Sequence, residues 1–221
     1  MKQSEQARTL GPSELLDLYA QGLFPMADGR EDTRAAIVDP PMRGVLPLQS
    51  LHLPRRLRRS VRQGIYEVRV NTAFGRVVNA CAAPAPMRES TWISHGIEYL
   101  YGALFTQGAA HSVECWHDDE LVGGLYGVHL GGAFFGESMF STARDASKIA
   151  LIHLAARLLH GGFTLLDTQF ITAHLAQFGA QEISRKDYHK RLKSALELDG
   201  DFTSLPVSIS GKAALEILDA R

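Results

Sequence analysis

Residues 111–138 read HSVECWHDDELVGGLYGVHLGGAFFGES, and this stretch decides the fold. His111 to Trp116 alternates as a strand does. The polar tetrad His117-Asp118-Asp119-Glu120 makes a turn, and Leu121 to Leu130 answers it as a second strand, giving a hairpin. Gly131-Gly132 turns the chain again into Ala133–Ser138, the third strand of a meander.

Downstream, Asp145 to Leu159 predicts a long helix stopped by Gly161-Gly162. Leu165 to Phe170 follows as a strand and Ala173 to Phe178 as a short helix, while the tail beyond Gly200 is weakly patterned. Upstream, residues 12–22 read as a helix with Ser13 as cap and Gly22 as stop. Residues 37–48, IVDPPMRGVLPL, hold three prolines, so they are expected to be extended and to lie at an edge or crossing. Residues 54–63 read as a helix, 65–71 as a strand, 74–81 as a helix, 82–89 as a loop and 96–107 as a helix. The order is that of an α+β protein with a mostly antiparallel sheet, and it is also the order of the acyltransferase fold built around an acetyl-CoA site.

The 221 residues suit one large domain or two small ones sharing a core. The opening MKQSEQARTL lacks the apolar core of a signal peptide, and no stretch approaches the roughly 18 apolar residues of a membrane span. Two cysteines, Cys81 and Cys115, are too few and too irregular for a disulfide framework or a zinc ribbon. A cytosolic protein is expected. The net charge of −1 argues against a general nucleic-acid binder, but RRLRRSVR at 55–62 places Arg55, Arg56, Arg58, Arg59 and Arg62 together without an acid. Such a patch neutralises phosphates or is a solvated helix face.

Several side chains stand out chemically. His111, Glu114 and His117 have metal-like spacing, but on a strand His111 and Glu114 face opposite ways, so no metal site is expected. Ser138 in GESMF lacks the second glycine of a nucleophile elbow. Asp167 and Gln169 sit two apart on an apolar strand and share a face; there they either form a hydrogen-bonded cap or hold an amine nucleophile. Glu137, among Phe134, Phe135, Met139 and Phe140, calls for a cationic partner, internal or from a ligand. Leu151, Leu154 and Leu158 form one face of the long helix, which Leu166 and Leu125 could close into core or into an apolar pocket.

Taken in order, GLFPM (22–26), STWI (90–93), AAHSVE (109–114), ELVGGLYGV (120–128), FFGESMFS (134–141), DASK (145–148), LLDTQF (165–170) and FGAQEISRKDY (178–188) resemble the bacterial leucyl/phenylalanyl-tRNA–protein transferases over roughly residues 13–192. The resemblance implies a small N-terminal α/β domain, 1–63, followed by a GNAT-like aminoacyltransferase domain, 64–221. It implies transfer of Leu, Phe or Met from aminoacyl-tRNA to proteins beginning with Arg or Lys, creating a degradation signal. It implies no cofactor beyond the aminoacyl-tRNA donor, and we expect a monomer.

By motif, the resemblance assigns catalysis to Asp167, Gln169 and Glu137. It puts Trp92 near the aminoacyl-adenosine, the side-chain pocket at Leu125, Leu151, Leu154, Leu158 and Leu166, and tRNA contact at the five arginines. Where many members carry a tryptophan that stacks on the adenosine, this chain has Ile37-Val38-Asp39-Pro40. A contact worth about 1–3 kcal/mol, by analogy with base–aromatic stacking, is therefore missing there. Two other classes are compatible with the residues: an acyl-CoA-dependent N-acyltransferase, and a non-catalytic binder of aminoacyl-tRNA or of N-terminal Arg. The absence of a Gly-rich cradle before the long helix, where Thr142–Ser147 stand instead, counts against the acyl-CoA enzyme.

Overall fold

The computed structural model describes residues 10–84 and 90–220. The polar opening at 1–9 and residues 85–89 of the expected loop lie outside the described residues. The chain begins with α1 (Pro12–Ala20), β1 (Phe24–Met26), β2 (Ala36–Val38) and β3 (Met42–Val45). A 3-10 turn (Leu48–Ser50), α2 (Arg55–Gln63), β4 (Glu67–Val70), α3 (Phe74–Ala82) and α4 (His95–Thr106) come next. Then follow β5 (Ala110–His117), β6 (Glu120–Leu130), β7 (Ala133–Ser141), α5 (Ala146–His160), β8 (Leu165–Gln169) and α6 (Ala173–Ala176). The described chain closes with β9 (Gln181–Ser184), α7 (Arg185–Leu196) and α8 (Gly211–Asp219).

The fold is mixed α+β. The meander at 111–138 forms the centre of a seven-stranded sheet of order β4-β5-β6-β7-β8-β3-β9, and β1 and β2 pair separately. The expected mostly antiparallel sheet gives way to a mixed one. At its middle β7 and β8 run parallel, joined through α5, with antiparallel pairs on either side. Helices cover both faces: α2, α5 and α8 pack on one, and α1, α3, α4 and α7 on the other. This explains why β5 and β6 are buried almost throughout rather than on alternate residues.

Two expectations need correction. Residues 42–45 are not at an edge: β3 is inserted between β8 and β9. Prolines 40, 41 and 47 flank the strand MRGV without entering it, so every backbone donor it needs is present. The tail beyond Gly200, expected to be weakly patterned, carries α8. Ser210 Oγ accepts the Ala213 N–H at 3.1 Å, and Gly211, Ala214, Leu215 and Leu218 form a buried stripe that seats α8 against α5 and α2. β9 and α7, read above only as part of a motif, are likewise built on a cap: Ser184 Oγ accepts the Asp187 N–H at 3.1 Å.

His111 and Glu114 face opposite ways, as a strand requires. Glu114 is fully buried and accepts from Thr72 N, Ala73 N, Ser112 Oγ and Trp116 Nε1, fixing the turn before α3. His111 instead contacts His129 Nδ1 at 2.9 Å and Asn71 Nδ2 at 3.0 Å, and stacks on Phe202. Among the described residues no group of His, Cys, Asp and Glu is arranged to hold a metal ion.

Burial holds the His111 imidazole down to about 3 and that of His153, on α5, down to about 4. Both are neutral in the fold, and the unfolded chain takes up their protons first. The stability they confer is complete above the ordinary value near 6.5 and is lost as pH falls through the folded values. The histidines' share of the melting temperature is expected to be level above pH 7 and to fall on acidification. In His153→Gln the fall should be shallower; an unchanged acid profile in this variant would contradict the assignment.

Candidate active site

β7 and β8 pair only from Ala133–Leu165 to Phe135–Asp167, although β7 continues to Ser141 and β8 to Gln169. Past that point the ladder stops and a cavity of about 860 Å³ occupies the opening, lined by residues 136–141 of β7 and 168–170 at the end of β8. One wall is apolar: Leu125 from β6, Leu151 and Leu154 from α5, Leu166 from β8 and Leu175 from α6. Trp92, Phe24 and Met26 contribute further lining.

The opposite wall is polar, and a backbone irregularity builds it. Tyr126 of β6 stands opposite Ser138 while Gly127 stands opposite Gly136, so Glu137 is the extra residue of a β-bulge. A bulge re-aims its side chain, and Glu137 lines the cavity. Gly127 is obligatory at this point, since a Cβ would come within 2.3 Å of the Phe135 carbonyl oxygen.

Among the described residues Glu137 forms no ion pair. Tyr19 donates to its Oε1 at 2.7 Å and Tyr101 to its Oε2 at 2.6 Å, and the two tyrosine oxygens are 2.8 Å apart. Burial raises its pKa to about 7, against the lowering effect of the two hydroxyls. Counting protons agrees with this. Three contacts among three groups need three protons, and the two hydroxyls supply two, so the ring is complete when Glu137 carries the third.

The cation expected near Glu137 belongs to Asp167 instead. Arg43 on β3 donates through Nε to both carboxylate oxygens at 2.9 and 3.1 Å and through Nη2 to Oδ2 at 2.6 Å. Tyr188 of α7 donates to Oδ2 at 2.7 Å. The guanidinium also reaches the Gly22 carbonyl oxygen and lies over the rings of Phe24 and Tyr188. Asp167 is 0% exposed and Arg43 1%.

Asp167 and Gln169 do not share a face. Gln169 has φ 55°, in the left-handed region, and Phe170 N donates to Thr168 O across it at 2.6 Å. This turn sends the Gln169 side chain to the cavity, whereas Asp167 stays behind it and holds the turn by accepting the Gln169 N–H at 2.8 Å. A non-glycine residue held in this conformation is a local strain of the kind that functional sites retain. Gly44 permits it, because a Cβ there would lie 2.8 Å from the Phe170 carbonyl carbon.

Five buried side-chain polar atoms among the described residues lack a hydrogen-bond partner, and four belong to residues of this cavity: Tyr126 Oη, Thr168 Oγ1, Gln169 Nε2 and His174 Nε2. Native proteins rarely leave such atoms unsatisfied. Here four of the five belong to residues that line one cavity.

The structure thus brings Trp92, Leu125, Leu151, Leu154, Leu166, Glu137 and Gln169 to one cavity. Leu158, one turn beyond Leu154, is buried in the core and does not line it. Val38 pairs with Phe24 and is also not a lining residue. On α2, Leu57 and Val61 face the core while Arg55, Arg56, Arg59 and Arg62 are exposed. Arg58 is half-buried and paired with Asp219, an acid supplied by α8 rather than by the segment itself.

Arg43, Tyr19, Tyr101, Tyr126, Thr168, Tyr188 and His174 were not singled out from sequence. Only Arg43 carried a signal there, as a lone cation in an otherwise uncharged run, MRGVLPL, able to match the lone acid of LLDTQF.

Comparison with known proteins gives the class of the chain. Residues 45–193 match the family model described as leucyl/phenylalanyl-tRNA protein transferase. Curated relatives of that name include one from Caulobacter vibrioides (strain NA1000 / CB15N), 61% identical over 205 residues, covering 93% of this chain and 94% of the relative. Another from Phenylobacterium zucineum is 58% identical, covering 93% and 95%, and one from Nitrobacter winogradskyi is 52% identical, covering 100% and 99%. The chain belongs to the leucyl/phenylalanyl-tRNA protein transferase family.

Proposed function

We propose that this chain moves leucine, phenylalanine or methionine from the ester of an aminoacyl-tRNA to the α-amine of proteins beginning with Arg or Lys, marking them for degradation. The observation that carries the reading is the mixed lining of the cavity: leucines for an apolar side chain, together with the polar residues Glu137, Thr168, Gln169 and His174. The ester is already activated, so no covalent enzyme intermediate or cofactor is required. Proximity of amine and ester supplies much of the rate.

In this reading the apolar side chain enters between Leu125, Leu151, Leu154 and Leu166, Trp92 lies against the adenosine, and Gln169 donates to the reacting ester. Asp167 is a positioning residue that fixes the Gln169 turn. Glu137 attracts the cationic end of the acceptor. The exposed arginines of α2 meet the acceptor arm of the tRNA. The separating β7–β8 pair supports a GNAT-like catalytic unit from residue 64 onward, with 1–63 as a smaller unit tied to it through β3. The reading includes a cytoplasmic monomer; no helix among the described residues is long and apolar enough to cross a membrane.

The test is mass spectrometry of a peptide beginning with Arg, incubated with the protein, tRNA, synthetases and each donor amino acid. A gain of one residue, abolished by ribonuclease, is expected. No gain with any donor would sink the reading. Pocket shape should set donor choice: Leu151→Phe is expected to shift competition from phenylalanine toward leucine by about 1–3 kcal/mol, roughly 10–200-fold. Unchanged product ratios would remove Leu151 from the donor pocket.

A further inference from the structure

We propose that His174 is the proton acceptor of the transfer reaction, an inference that rests on the transferase reading above. The argument is an account of basic atoms. The attacking amine must lose a proton as its nitrogen bonds to the ester carbon, and the departing 3′-oxygen of the tRNA must gain one. Asp167 does not line the cavity, and Arg43, Tyr188 and the Gln169 N–H occupy its oxygens. Each oxygen of Glu137 accepts from a tyrosine, and in the reading above its charge is engaged by the cationic end of the acceptor. Gln169 offers an amide, which is not a base, and the lining hydroxyls are protonated at neutral pH.

His174 is the imidazole in the lining, and its Nε2 is buried without a partner. Its backbone is fixed by its surroundings. Thr172 caps α6 by accepting the Leu175 N–H at 3.2 Å, and Gln177 Nε2 donates to the His174 carbonyl oxygen at 2.7 Å. The ring lies 5.7 Å from that of Phe178. Burial first, then the charge of Lys148 at the start of α5, lowers its pKa from the ordinary value; Asp145, paired with that lysine at 2.9 Å, opposes the shift. The ring is therefore neutral at pH 7 and ready to take a proton.

The step balances. The neutral α-amine attacks the ester carbon, the C–N bond forms, and the carbonyl pair moves onto oxygen. The new ammonium passes one proton to His174 Nε2. The pair returns, the bond to the 3′-oxygen breaks, and the imidazolium gives its proton to that oxygen. Amide and 3′-hydroxyl are released with His174 neutral again.

The test uses the whole protein, leucyl-tRNA and an Arg-initiated peptide under single-turnover conditions. His174→Gln is expected to lower the rate by about 10²–10⁴-fold, with melting temperature and leucyl-tRNA affinity unchanged. On the acid side its rate should fall less steeply with pH, by one proton, than that of the wild type. In His174→Ala, added imidazole should restore part of the lost rate, which no structural role explains. An unchanged rate in both variants, or a loss that imidazole does not restore and that follows weakened tRNA binding, overturns the proposal. If the wild type itself forms no product, the transferase reading fails, and this inference with it.

Discussion

An Asp167→Ala variant should lose about 3–5 kcal/mol of folding stability, the usual cost of stranding one partner of a buried ion pair. The reason lies in what stays behind. Arg43 is 1% exposed, and the Asp167 carboxylate is its only anionic hydrogen-bond acceptor among the described residues. Without it the guanidinium keeps the Gly22 carbonyl, the Tyr188 hydroxyl and two aromatic faces, none of which neutralises a buried charge. Tyr188 loses its acceptor in the same step. Asp167→Asn should lie close behind, because it removes the charge while keeping the volume.

Asp167→Ala should also lose transfer activity at temperatures where it remains folded, because the Gln169 turn depends on Oδ1 as acceptor, whereas Asp167→Asn keeps that oxygen and should lose less. A double variant, Arg43→Met with Asp167→Leu, should recover part of the stability without recovering activity. Denaturant melts of the four proteins decide it. If Asp167→Ala melts like the wild type, the ion pair does not hold the site together.

The second large effect is expected at Glu137, in acceptor binding. Glu137→Gln keeps the volume and removes the charge offered to an acceptor that begins with Arg or Lys. A charge-assisted hydrogen bond is worth about 1.5–3 kcal/mol, so the acceptor KM should rise roughly 10–150-fold, with a smaller change in kcat. The pH dependence is the sharper test. With its pKa raised to about 7, Glu137 becomes charged only as pH rises through neutrality, so wild-type acceptor KM should fall between pH 6 and 8. In Glu137→Gln that dependence should vanish.

Stability should move the other way. A carboxyl whose folded pKa lies above its unfolded value stabilises the fold below the unfolded value, and that contribution is lost as pH rises through 7. The variant should therefore lose less stability than the wild type on going alkaline. A KM that follows pH identically in both proteins would remove Glu137 from acceptor recognition.

The sequence made the meander, the long helix and the Arg-rich helix legible, because each rests on local periodicity and turn chemistry. It missed the place of β3, because pairing across more than 120 residues leaves no local mark. It placed the leucine wall nearly in full, since a helical stripe at i, i+3 and i+7 is readable, yet it extended the wall one turn too far to Leu158. Where the cavity ends is a property of β8 and α6, not of α5. Asp167 and Gln169 were found as residues but misread as a shared face. Two-residue alternation fails when φ turns positive, and nothing in LLDTQF announces that. The tyrosines around Glu137 come from α1 and α4, and their convergence is purely tertiary.

The insertion of β3 between β8 and β9 has a consequence for the order of assembly. Met42–Val45 leaves the ribosome long before either neighbour exists, so that strand waits unpaired while more than 100 further residues are made. Contacts this distant in sequence slow folding, because the loop must close before any bond compensates its entropy. Arg43 travels on this strand and Asp167 sits on its late-arriving neighbour. The ion pair behind Gln169 therefore forms only when the sheet is nearly finished. A truncated or stalled chain would present the leucine stripe without the Gln169 turn, and the nascent protein stays silent until β8 has docked.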